Sequence, residues 1–169
     1  MTVVELKRLI RDVPDFPRSG ILFRDISPLL REHFETTIQV LDSLLTEVEW
    51  SETDAVAGIE SRGFILGAAL ATRRRKGFVL VRKQGKLPPP VVDVAYDLEY
   101  GSNVLEMQCG HGRLLLVDDV LATGGTMTAS ADLCVQAGYE VRAIAALIDL
   151  KLVADYRWRA LSARTAVQY

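Results

Sequence analysis

Apolar strands alternating with amphipathic helices predict an α/β domain with a central parallel β-sheet flanked by helices on both faces. Two runs carry that prediction: AVAGI at 55–59 and LLLV at 114–117 hold no polar side chain, as strands buried on both faces require. A third observation joins them, because helical periodicity follows each run, at 63–75 and at 126–137. At 169 residues, 49% hydrophobic and 25% charged, the chain has the size and composition of one domain, 1–169, with its own core.

Each element follows in order. Leu6, Leu9, Ile10 and Val13 fall on one face of a short helix that Pro14 ends. Residues 15–28 carry two prolines and a glycine, yet Phe16, Ile21, Leu22, Phe23 and Ile26 are too apolar for a solvated linker, so an ordered loop is expected. A helix from 33 to about 48 buries Ile38, Leu41, Leu44 and Leu45. Strands at 55–59 and 78–81 flank the helix at 63–75, in which Gly63 and Gly67 permit close helix–sheet packing. Between 82 and 108, VVDVAY and NVLEM around EYG read as a β-hairpin standing off the main sheet. Strand 114–117, helix 126–137 and strand 141–148 complete the pattern, and 151–169 shows no assignable one.

Composition removes several function classes. Twenty Lys+Arg against 22 Asp+Glu leave a net charge of −2, with no bulk attraction for nucleic acid or an anionic membrane. Any phosphate must be held locally. Cys109 and Cys134 have no metal or redox spacing and read as reduced thiols of a cytosolic protein. The N-terminus lacks the uninterrupted apolar stretch of a secretory signal, and no run of about eighteen apolar residues occurs, so a cytoplasmic location is expected. His33 and His111 lack metal-ligand spacing, and the basic run at 73–76 reads as a solvated helix terminus.

The strongest chemical signal is LLLVDDVLATGGT at 114–126, a buried strand ending in Asp118 and Asp119, then a glycine turn opening a helix. In open α/β sheets ligands bind beyond the carboxyl ends of strands. Gly124 and Gly125 let backbone N–H groups approach an anion, the helix N-terminus adds positive potential, and Thr123 and Thr126 offer hydroxyls. The turn can therefore cradle one phosphate, with Ala122 at its start, while Asp118 and Asp119 can grip the vicinal hydroxyls of an attached ribose. The competing reading is a capped strand-to-helix turn with two solvated acids. The string is neither a Walker A loop nor GxGxxG.

That string resembles the phosphoribosyl pyrophosphate (PRPP) signature of the type I phosphoribosyltransferases. Three further segments, FPRSGILFRDISP at 16–28, ESRGF at 60–64, and RKQGKLP at 82–88 with LEYG at 98–101, are similar to those of adenine phosphoribosyltransferases and occur in the family's order. The resemblance implies a type I phosphoribosyltransferase-like fold with an N-terminal hood over 1–34 and a flexible loop and β-hairpin over 82–108. It implies that Asp118 and Asp119 bind the ribose of PRPP or AMP, and that Ala122, Thr123, Gly124, Gly125 and Thr126 hold the 5′-phosphate.

Phe23 can stack on a flat base, and the backbone of Leu22 and Arg24 can read adenine's donor–acceptor edge; alternatively Phe23 plugs the core under its loop. The resemblance turns Arg62 toward pyrophosphate, where the residues alone also allow a surface cation at a helix start. Arg82, Lys83 and Lys86 suit either a solvated face or, by resemblance, a lid that brings cations to the leaving pyrophosphate and excludes water. Pro89 departs from the residue common there in the family. Glu99 is the implied catalytic acid/base acting on the purine, with Tyr100 packing near the ribose; the alternative is an exposed glutamate in a hairpin turn.

The implied reaction is adenine + PRPP giving AMP + pyrophosphate. Mg²⁺ is expected on substrate oxygens and water rather than in a protein cage, since this hard ion normally rides on substrate phosphates. A homodimer is implied, and no nucleic-acid or membrane partner. The rival readings are a 6-oxopurine phosphoribosyltransferase and a non-catalytic PRPP- or purine-sensing regulator.

Overall fold

The computed structural model describes residues 3–98 and 101–169. Its N-terminal part comprises α1 (Val3–Leu9), β1 (Arg11–Pro14), β2 (Leu22–Asp25), α2 (Ser27–Glu32), α3 (Phe34–Asp42) and α4 (Glu47–Ser51). Then follow β3 (Ala55–Ile59), α5 (Arg62–Arg74), β4 (Gly77–Lys83), β5 (Val91–Leu98), β6 (Gly101–Gln108) and β7 (Gly112–Leu121). The chain closes with α6 (Gly125–Gln136), β8 (Tyr139–Asp149), β9 (Arg157–Trp158) and β10 (Leu161–Gln168).

Eight strands form the main sheet in the order β5-β6-β4-β3-β7-β8-β10-β9. The five central strands, β4, β3, β7, β8 and β10, run parallel, and antiparallel pairs occur toward the two edges. From β3 the chain crosses over through α5 to β4 on one side; from β7 it crosses through α6 to β8 on the other. Right-handed crossovers in opposite directions put their helices on opposite faces. Leu66 and Leu70 of α5 accordingly share a core with Leu6, Leu29, Leu41 and Trp50. Met127, Leu133 and Cys134 of α6 share the other with Leu105 and Met107 of the hairpin. Neighbouring β3 and β7 thus lead away in opposite directions, and the crevice beyond their carboxyl ends is a topological switch point.

Four expectations need correction. The first helix ends at Leu9; Val13 belongs to β1, which pairs antiparallel with β2 from Arg11↔Asp25 to Pro14↔Leu22. Residues 15–28 are therefore more than a loop, and cross-strand ion pairs, Arg11–Asp25 at 2.8 Å and Arg24–Asp12, hold the ribbon they help form. The helix expected over 33–48 is two. Thr46 caps α4, its side chain accepting from the Glu49 amide at 3.3 Å while Glu49 accepts from the Thr46 amide at 2.8 Å. The hairpin does not stand off the sheet: β6 pairs with β4 at Arg82↔Glu106 and Lys83↔Leu105. The tail extends the sheet, because β10 lies parallel to β8.

The basic run at 73–76 also does more than meet solvent. Arg74 binds Asp42 and Glu47, each at 2.8 Å, and stacks 5.1 Å over the Trp50 ring, tying α5 to α3 and α4. Arg164 of β10 binds Glu49 in the same layer and, with the Thr46 amide, draws the Glu49 carboxyl from 4.5 down to about 2. The pair's stabilisation is complete above the ordinary glutamate pKa and fades as pH falls toward the lowered value. Glu49→Gln is expected to cost on the order of 1 kcal/mol at neutral pH and to flatten stability against pH in the acid range, as denaturant titration would record.

Candidate active site

Asp118 and Asp119 are among the last residues of β7, at the switch point. The Asp119 amide donates to Asp118 Oδ1 at 2.8 Å, which pins the first carboxylate beside the second. Burial, reinforced by the Asp119 charge, pushes the Asp118 carboxyl well above the ordinary carboxylate range. Asp119 is 7% exposed, and its carboxylate meets Arg62 Nη2 at 2.6 Å. Arg62 opens α5 directly after β3, so the two halves of the crevice are bridged by one charge pair.

The same guanidinium reaches the hood. Arg62 Nη1 donates to the Arg24 carbonyl at 3.2 Å, and its Cζ lies 4.8 Å over the Phe23 ring. Phe16 meets Phe23 edge-on at 5.2 Å. Around them a cleft of about 360 Å³ is lined by Arg11, Val13, Phe16, Phe23, Asp25, Ser27 and Arg62. That is the size and the aromatic lining a flat heterocycle requires. Phe23 is thus no plug under a loop. Leu22 is 46% exposed beside it. The Arg24 side chain turns away, its Cζ 3.7 Å above the Tyr169 ring, leaving its backbone toward Arg62.

Below the carboxylates, Asp118 and residues 120–127 line a small cavity of about 130 Å³ at the start of α6. Gly124 caps the helix at φ +89, the left-handed region that favours glycine, and its carbonyl accepts the Thr128 amide at 2.9 Å. Thr126 donates to the Tyr96 hydroxyl at 3.3 Å, which joins the cradle to β5 of the hairpin. Tyr156, in the tail the sequence left unassigned, brings a ring edge up to Gly124, and its hydroxyl is 3.0 Å from Thr128 Oγ1. Trp158, donating to Asp132 at 2.8 Å, anchors that tail to α6. A Cβ on Gly124 would lie 2.4 Å from the Tyr156 ring. Gly124→Ala is therefore expected to weaken phosphate-ligand binding by at least about tenfold, from backbone strain and lost ring contact together, as calorimetric titration would show.

Two carboxylates hold the expected lid segment. Glu60, at the end of β3, accepts from Arg82 Nε at 3.3 Å and the Lys83 amide at 3.0 Å, and pairs with Lys86 Nζ. Burial works to raise its carboxyl, but Lys86, the Lys83 amide and Arg82 outweigh it and hold it below the ordinary range. Glu106 accepts from the amides of Gly85, Lys86 and Leu87. The structure thus links Asp119, Arg62, Phe23 and Arg24 through direct contacts, places Asp118 on the phosphate turn, and sets Arg82 and Lys86 against Glu60, two positions before Arg62. Glu99 and Tyr100 lie outside the described residues; Leu98 and Gly101 on either side pair in register. Sequence reasoning missed Tyr156, Tyr96 and the two anchoring glutamates. Only the alternation of Tyr96 along β5 hinted at an inward side chain.

Gly63 and Gly67 perform the close packing expected of them: a Cβ on Gly63 would lie 2.9 Å from the Val117 carbonyl, and one on Gly67 2.9 Å from the Phe78 ring. Among the described residues no three His, Cys, Asp or Glu side chains gather as a metal cage. Both cysteines are free thiols, and among the described residues no helix is long and apolar enough to cross a membrane.

Comparison with known proteins gives this geometry a context. A phosphoribosyl transferase domain model matches residues 36–160. The adenine phosphoribosyltransferase of Hydrogenovibrio crunogenus is 48% identical over 165 residues, covering 97% of this chain and 96% of the relative. The crystal structure of adenine phosphoribosyltransferase from Thermoanaerobacter pseudethanolicus superposes with a TM-score of 0.89 at 38% identity, covering 99% of this chain and 100% of the other. The Saccharomyces cerevisiae enzyme, solved with D-2,5-dideoxy-2,5-imino-altritol 1,6-bisphosphate and adenine, gives 0.82 at 35% identity over 90% of each chain.

Proposed function

The chain belongs to the adenine phosphoribosyltransferase family, and from that premise we propose how its residues divide the reaction adenine + PRPP giving AMP + pyrophosphate. The observation that carries this reading is Arg62, which spans from Asp119 at the phosphate cradle to Phe23 and the Arg24 carbonyl at the hood. A sugar phosphate on one side of that guanidinium and a planar base on the other would meet between them.

In this reading Ala122, Thr123, Gly124, Gly125 and Thr126 hold the 5′-phosphate through backbone amides and hydroxyls at the start of α6. Asp118 and Asp119 accept from the ribose hydroxyls. Binding the phosphate, remote from C1′, orients the carbon at which the bond changes. Arg62, Arg82, Lys83 and Lys86 meet the charge of pyrophosphate as it leaves. Phe23 stacks on adenine while the Leu22 and Arg24 backbones read its edge. Glu99 handles the purine proton, and Tyr100 packs by the ribose. The chain acts as one domain over 1–169, with 1–34 as hood and 82–108 as closing loop and hairpin.

The donor set suits magnesium carried by the substrate: Asp118 and Asp119 are hard oxygen ligands, yet two carboxylates make no cage of their own. Held with the substrate beside Asp118 and Asp119, Mg²⁺ would supply charge neutralisation for the leaving group. We also propose a cytoplasmic homodimer. The outer face of α5, with Ile65 44% exposed beside Phe34, Ala68 and Ala69, offers an apolar surface for it.

The reading is tested by incubating the protein with adenine, PRPP and Mg²⁺ and following AMP, with hypoxanthine in parallel and a control without magnesium. Magnesium-dependent AMP is expected. Faster turnover of hypoxanthine would move the assignment to a 6-oxopurine enzyme.

A further inference from the structure

Glu106 is 3% exposed and has no place in the reaction described above. A buried carboxylate is costly unless its oxygens are satisfied. Here three consecutive backbone amides satisfy them: Gly85 to Oε2 at 2.9 Å, and Lys86 and Leu87 to Oε1 at 2.6 Å each. Gly85 stands at φ +84, the conformation that lets successive N–H groups converge into a concave anion site. The protein fills that nest with its own charge. The Gly85 amide leads the interactions that hold the Glu106 carboxyl below the ordinary range. The Glu106 carboxylate is an acceptor only, whereas a glutamine would present an NH₂ group to at least one of the three amides.

The turn so held carries Lys86 and follows directly on the strand that carries Arg82. Arg82 lies opposite Glu106 in the β4–β6 register, and its Nη1 donates to the Lys86 carbonyl at 3.5 Å. Lys86 in this turn and Arg82 on β4 beside it both reach Glu60 at the end of β3. We infer that Glu106 is a positioning residue for pyrophosphate, fixing the turn at 85–87 so that Arg82 and Lys86 point at the β3–β7 crevice. This rests on the function proposed above. The nest sets where the loop is anchored, so the cations approach pyrophosphate from a fixed base. Orienting them in advance removes part of the ordering cost from the binding step.

Glu106→Gln is the test, with PRPP and pyrophosphate binding measured by calorimetry beside steady-state kinetics. The expected result is an increase of about tenfold in Kd for both and in the KM for PRPP, with the KM for adenine changed by less than about twofold. Adding Glu106→Gln to an Arg82→Ala/Lys86→Ala protein is expected to cost nothing further, because the cations it positions are gone. Hydrogen exchange supplies a measurement on the unmodified chain, in which the amides of Gly85, Lys86 and Leu87 should be slow. Rapid exchange there, multiplying effects in the triple variant, or a lower Tm with unchanged PRPP affinity would each overturn the inference. Wild-type protein that binds PRPP but forms no AMP would sink the adenine reading alone, and the binding comparison would still decide the role of Glu106. Wild-type protein that binds neither PRPP nor pyrophosphate would sink both.

Discussion

Asp118→Asn is expected to raise the Tm of the ligand-free protein while weakening PRPP by roughly 10- to 100-fold. The two effects have one origin. Burial and the neighbouring Asp119 charge make an ionised Asp118 unfavourable, which is why its carboxyl is pushed well above the ordinary range. Asparagine removes that charge but retains an oxygen for the Asp119 amide, which now donates to Asp118 Oδ1 at 2.8 Å. With its oxygen on the Asp119 amide, asparagine offers a ribose hydroxyl an NH₂ group in place of the second carboxyl oxygen. The sign against pH follows from the raised value. Asp118 favours the fold at pH below the ordinary carboxylate pKa, and that contribution is lost as pH rises through its elevated folded pKa. In the variant this loss should vanish, so the gain in Tm should be larger at pH 8 than at pH 4. Thermal melts at both values, with calorimetric titration of PRPP, make the check. A lower Tm at pH 8 with PRPP affinity retained would remove Asp118 from the ribose site.

Glu99→Gln is expected to lower the rate of AMP formation by roughly 10²-fold or more, with PRPP affinity nearly unchanged. Adenine must lose a proton overall as N9 attacks C1′, and a carboxylate near N7 can stabilise the tautomer or the charge that makes N9 nucleophilic. Glutamine keeps the shape and removes the proton acceptor. Glu99 is outside the described residues, but the chain around it is placed: the Asp97 carbonyl lies 3.8 Å from where a Cβ on Gly125 would stand, and Tyr96 bonds Thr126. The hairpin therefore approaches the phosphate cradle along Tyr96 and Asp97. Steady-state rates and PRPP titration on one preparation separate chemistry from binding. Full activity in the variant would take Glu99 out of the mechanism.

The parts of this site that were legible in the sequence are local in the chain. A strand that must be buried on both faces reads as an unbroken apolar run, as at 114–117, and a phosphate turn needs glycines next to a helix start, as at 124–125. The capping box of Thr46 and Glu49 is equally local and splits the long helix, whereas the apolar spacing across 38–45 carries no mark of the break. Val13 shows the opposite limit. Its spacing from Leu6 suits a helix, yet the chain there is a strand because Arg11 and Asp12 meet Asp25 and Arg24 across the hood. Such pairings join residues more than ten positions apart, and hydrophobic periodicity carries no trace of them.

From its residues alone the chain declared the parallel sheet, the two crossover helices and the order of the chemical motifs, because backbone geometry and burial impose short-range patterns on sequence. By resemblance it also declared the base and the sugar phosphate those motifs serve. Tertiary structure decided which distant groups share a charge. It set Arg62 on both Asp119 and the hood, Tyr156 against Gly124, and Glu106 in the nest under the lid. Contacts of this kind depend on where strands fall in the sheet, and strand order is fixed by packing across the whole domain, not by neighbours along the chain.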